Sequence, residues 1–158
     1  MVPGQPERYL QDRALFGFFV NSLSTLEALS FALFSIGHTL RSSAFPFTTE
    51  HDRRRVSPEL TALAFANAFS TEPLSHTLRA TLSSPDRRTL EKVRNVLAHR
   101  GQPGRRMFLS TGTSTQRPAR WIRGLSIQPS MVERKRLWLA RRLQAIMRAA
   151  DRFVATHL

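Results

Sequence analysis

Ser84-Pro85-Asp86-Arg87-Arg88-Thr89-Leu90-Glu91-Lys92-Val93-Arg94-Asn95-Val96-Leu97-Ala98-His99-Arg100-Gly101 announces a helix at both ends and divides it lengthwise. Ser84 suits an N-cap, Pro85 the first helical position and Asp86 the positive end of the dipole, and Gly101 follows the last turn, which predicts a helix over 85–100. At about 100° per residue, Leu90, Val93, Val96 and Leu97 share one arc, while Arg94, Asn95 and His99 spread over about 140° on the other side. The apolar arc needs other helices to cover it, and the polar trio is kept out of the core.

Upstream, the chain has no proline from Glu7 to Leu40, and apolar residues are dense: Leu10, Leu15, Phe16, Phe19, Leu23, Leu26, Leu29, Phe31, Leu33, Phe34, Ile36. One long first helix over 7–40 is predicted. Being apolar on nearly every side, it belongs at the centre of a bundle or in an oligomer interface. It is long enough to span a bilayer, but Asn21, Glu27 and many Ser and Thr would then lie at bilayer depth. Glu7, Arg8, Asp12 and Arg13 sum to zero charge, a poor lead for a signal peptide. No membrane association is expected. Glu27 stands out as an acid on an apolar helix. Either it holds Arg94 through a charge-assisted bond, or it faces solvent at a seam.

Residues 41–56 read as a polar connection in which Phe45-Pro46-Phe47 pins the loop and Arg53-Arg54-Arg55 is a charge run. A second helical region over 57–82 opens with Ser57-Pro58-Glu59, buries Leu60, Leu63, Ala64, Phe65, Ala68 and Phe69, and is broken or bent at Pro73. Leu74, Leu78 and Leu82 follow at fourfold spacing. From 101 to 129 glycine, proline, serine and threonine dominate, and Met107-Phe108-Leu109 could pair with Trp121-Ile122-Arg123 as a small hairpin. Ser130-Met131-Val132-Glu133 reads as a capping box that starts a last helix over 130–156. Leu139, Leu143, Ile146, Ala150 and Phe153 form its seam, with Arg141, Arg148 and Arg152 away from it, toward water or phosphate. With 158 residues and no internal repeat, this is one domain of all-α class: four or five helices with a hairpin excursion.

Charge narrows the choice of partner. Lys and Arg number 24 against 11 acids, a net +13, and all but two of the 24 are arginine. Arginine holds phosphate bidentately, so a polyanion such as nucleic acid is the expected partner; a genomic bias toward arginine is the competing explanation. No cysteine is present, which excludes disulfides and thiolate metal sites. His38, His51, His76, His99 and His157 lack the spacing of a metal helix, so neither metal nor other cofactor is expected.

Arg94-Asn95 followed by His99, with four residues between Arg94 and His99 near a helix C-terminus, resembles the Arg-x(4 to 6)-His signature of the HEPN superfamily. Phe18 to Phe31 resembles the opening helix of such domains. The resemblance implies a helical-bundle homodimer that cuts RNA without metal in a cleft between protomers. It also implies a cytoplasmic toxin or phage-defence role, with an antitoxin or other regulatory protein as partner.

The residue chemistry fits that role. Cutting RNA without metal means taking the 2′-hydroxyl proton, stabilising a phosphorane and protonating the departing 5′-oxygen. His99 suits the proton transfers, Arg94 the charge clamp and Asn95 the positioning, with Glu27 and Arg100 in support. Arg105, Arg106, Arg120 and Arg123 offer phosphate contacts. Trp121 either packs the hairpin onto the bundle or stacks on an unpaired base. Two alternatives stay open: Arg, Asn and His at a helix end can simply cap carbonyls, and the same basic surface would serve a non-catalytic nucleic-acid- or nucleotide-binding dimerisation module.

Overall fold

The structure, a computed structural model, describes residues 5–99, 105–106, 120–121 and 129–158, with side chains described over 9–11, 13–97 and 129–158. Among these residues there are six helices: α1 (Gln5–Leu40), α2 (Glu50–Arg55), α3 (Pro58–Ala68), α4 (Pro73–Leu82), α5 (Pro85–His99) and α6 (Pro129–His157). α1 is the axis, packed mainly against α5 and α3 and more lightly against α6; α4 closes the bundle between α3 and α6. The class is all-α.

α1 buries a single stripe. Phe19, Leu23, Leu26, Leu33 and Phe34 are core residues, with Ser22, Ser30 and Gly37 on the same side. These positions recur three and four apart, as one helix face must. By length and composition α1 could also cross a membrane; in this fold it is the helix on which α3, α5 and α6 pack.

Two helix starts follow from their caps. Ser57 Oγ accepts from the Leu60 amide at 3.1 Å and Ser84 Oγ accepts from the Asp86 amide at 3.2 Å. Each cap precedes a proline whose missing N–H costs nothing at the first helical position. The region over 57–82 is two helices, and Pro73 opens the second of them. Buried Ser75 joins them: its hydroxyl reaches the Phe69 carbonyl at 2.6 Å and the Phe65 carbonyl at 3.0 Å, so carbonyls at the end of α3 gain a partner.

Four expectations need correction. Leu63, expected on the buried side of its helix, is 58% exposed. The connection over 41–56 contains α2, started by a reciprocal cap in which the Asp52 amide donates to Thr49 Oγ1 at 3.1 Å and the Thr49 amide donates to Asp52 Oδ2 at 3.0 Å. These bonds to Thr49, side chain first and then backbone, hold the Asp52 carboxyl below its usual range. Next, α6 begins at Pro129, so Ser130 lies inside its first turn instead of capping it. Finally, the only strand pairing among the described residues sets β1 (Arg105–Arg106) antiparallel to β2 (Arg120–Trp121), with Arg105 opposite Trp121. Two residues a side do not make the expected hairpin, whose 107–109 and 122–123 portions lie outside the described residues.

Phe45 is the plug of the bundle. Fully buried, its ring packs edge-on against Phe34 and Phe65, with Phe69 beyond, and Phe153 of α6 joins from the other side of Phe65 and Phe69. The His38 ring nitrogen Nδ1 lies 2.8 Å from the Phe45 carbonyl and holds the loop at its base. Gly37 makes room: a Cβ there would stand 2.6 Å from two Phe45 ring carbons and 2.8 Å from a third. Because that ring is boxed in, Gly37→Ala is expected to destabilise the protein by about 1–3 kcal/mol. Urea unfolding checks this: adding Phe45→Leu to Gly37→Ala should cost less than the two single losses combined.

Candidate functional site

α5 is the most polar of the long helices that face the core, and only a narrow apolar ridge seats it. Leu90, Val93 and Leu97 are buried, and Val96 packs at their edge. The rest of its attachment is electrostatic, one ion pair to each of three helices. Arg94 Nη2 donates to Glu27 Oε1 of α1 at 3.3 Å. Arg87 bonds Glu59 of α3, with Glu91 of α5 itself 3.7 Å away. Lys135 Nζ of α6 donates to Asp86 Oδ1 at 2.6 Å.

These pairs differ in energetic weight. The side chain of Arg87 is 14% exposed, and its Nε is buried with no hydrogen-bond partner among the described residues. The Arg94 and Glu27 side chains are 31% and 52% exposed, so water screens that pair. Arg87 therefore anchors the helix, and Arg94 is held in place without being locked. One contact at 3.3 Å uses one of five guanidinium donors and leaves the others able to meet a phosphate.

Of the residues singled out from the sequence, Glu27 and Arg94 are brought together across α1 and α5, and Asn95 is exposed beside Arg94. His99 is the last residue of α5; its side chain, and Arg100 and Arg123 altogether, lie outside the described residues. Arg105, Arg106, Arg120 and Trp121 are placed by backbone pairing alone. The Arg87 and Lys135 pairs had no signal in the sequence, because the partners lie 28 and 49 residues apart and periodicity shows only which face each residue occupies.

Among the described residues no group of three His, Asp or Glu side chains could hold a metal ion. An open groove of about 820 Å³ lies between α3 and α4, lined by Glu59, Ala62, Leu63, Ala66 and Arg79 among others, none of them a motif residue. No protein-family model, curated protein or solved structure matches the chain.

The two arginine pairs make separable predictions. Glu59→Gln, which strands a nearly buried guanidinium, should lower unfolding stability by about 1–3 kcal/mol. Glu27→Gln should cost less than about 1 kcal/mol. Chemical denaturation of both variants at neutral pH checks the order; equal losses would mean that Arg87 is better solvated than its burial indicates.

Proposed function

We propose that this chain is a metal-independent endoribonuclease of HEPN type that acts as a homodimer in the cytoplasm, in a toxin or phage-defence role. His99 is the acid/base, Arg94 the phosphate clamp and Asn95 the positioning residue. The observation that carries the proposal is the Glu27–Arg94 contact, which stations the motif arginine on the side of α5 next to exposed Asn95.

A second observation favours a dimer built around that spot. Tyr9, Phe16 and Phe31 are 63%, 45% and 41% exposed, and all three fall within about 40° of Glu27 around α1. An apolar stripe running through the residue that holds Arg94 fits a self-complementary interface beside the site. A twofold axis there brings together two motif helices whose Arg94 and His99 diverge by about 140° within each copy.

In that cleft one imidazole removes the 2′-hydroxyl proton and the resulting oxygen attacks phosphorus. The two Arg94 guanidiniums stabilise the phosphorane, and the second imidazole gives its proton to the 5′-oxygen as the P–O bond breaks. The products are a 2′,3′-cyclic phosphate and a 5′-hydroxyl. A neutralising protein would act by covering the same cleft.

The test is RNA cleavage in excess chelator by the purified dimer. Wild type should cut, and His99→Ala and Arg94→Ala should each lose about 100-fold or more in kcat/KM while remaining dimeric. Intact RNA with wild type, bound but uncut, would favour the non-catalytic nucleic-acid- or nucleotide-binding module instead.

A further inference from the structure

We propose that α6 carries a separate rail for the sugar–phosphate backbone of single-stranded nucleic acid, formed by Arg134, Arg141, Arg148 and Arg152 and floored by Leu137 and Trp138. That the strand is RNA rests on the function proposed above; the rail itself does not.

The four arginines are exposed, and three of them repeat every seventh residue, which keeps a side chain on one side of a helix. At 100° per residue all four fall within about 40° of one another, and a rise of 1.5 Å per residue spaces them along about 27 Å. The opposite side of α6, with Leu139, Ile146 and Phe153, is spent on the core. From Arg134 to Arg152 the rail arginines therefore face away from the bundle, with Trp138 at their edge packed against the core.

Among the described residues no acid pairs with it. The acids of α6, Glu133 and Asp151, sit roughly 60–100° round the helix from the rail arginines. Glu72, the residue just before the neighbouring helix α4, is already paired with His157 at 3.1 Å. Four uncompensated guanidiniums in register are costly for the isolated protein and favourable toward a chain of phosphates.

Single strand is preferred over duplex because of the floor. Arg134, Leu137, Trp138, Arg141 and Arg142 together line a shallow groove of about 300 Å³. Leu137 is 45% exposed and Trp138 half-buried. An apolar and aromatic patch between cations suits the face of an unstacked base, which a duplex keeps inside its stack.

The test measures binding of a fluorescent 2′-O-methyl oligouridylate, which lacks the hydroxyl needed for cleavage, across a range of salt. Arg141→Gln with Arg148→Gln should lower the slope of log affinity against log salt by about 1.4, from about 0.7 per lost phosphate contact on a single strand. Arg54→Gln with Arg55→Gln removes the same charge from α2 and should leave the slope unchanged. The rail is refuted if both pairs act alike, if neither acts, or if wild type ignores the oligonucleotide and binds phosphatidylserine vesicles instead. Loss confined to the α6 pair supports it whether or not wild type cuts natural RNA, so failure of the nuclease reading and failure of the rail remain distinct.

Discussion

How α5 is seated on α1 governs both the fold and the proposed chemistry. A helix this polar cannot be held by burial alone. Leu90, Val93 and Leu97 supply the apolar contact, and the ion pairs to Glu27, Glu59 and Lys135 fix its rotation about that ridge. Burial is non-directional, whereas charge-assisted hydrogen bonds prefer one geometry. The division of labour follows: apolar residues keep α5 on the bundle, and Arg87, Arg94 and Asp86 decide which of its faces looks outward.

The far end of the bundle is held by different means. Phe34, Phe45, Phe65, Phe69 and Phe153 interlock through four edge-to-face pairs and join α1, the following loop, α3 and α6 without a single formal charge. Arg41 caps this cluster, its guanidinium 4.6 Å above the Phe69 ring and one of its nitrogens donating to the Ala68 carbonyl at 2.6 Å. A rigid aromatic end leaves the α5 end freer to carry exposed polar groups.

Much of this was legible in the sequence wherever a local rule sufficed. Ser57-Pro58 and Ser84-Pro85 started helices, Phe45-Pro46-Phe47 tied the loop to the core, and 7–40 formed one helix because no proline or glycine pair interrupts it. α2 was missed because it buries no residue and its cap pairs Thr49 with Asp52, where the familiar pattern has Glu or Gln. Periodicity takes Arg94 out of the core, and an acid on an apolar helix leaves Glu27 two choices, a bond to Arg94 or a solvent-facing seam, of which the fold shows the bond. No local rule could find Arg87 with Glu59 or Asp86 with Lys135. Along α6, an eye for the apolar seam found Arg141, Arg148 and Arg152 by exclusion, but the sevenfold repeat that begins at Arg134 needed the arginines to be counted on their own.

Everything proposed about cleavage depends on two α5 helices meeting near a twofold axis. Because the chain has no cysteine, Asn95→Cys would give each copy one thiol, on the exposed side of α5. A short bismaleimide should then join two chains into a covalent dimer in high yield. Asn95→Cys protein that stays monomeric, while a cysteine at Leu63 or Met147 crosslinks readily, would place the interface elsewhere and contradict the account.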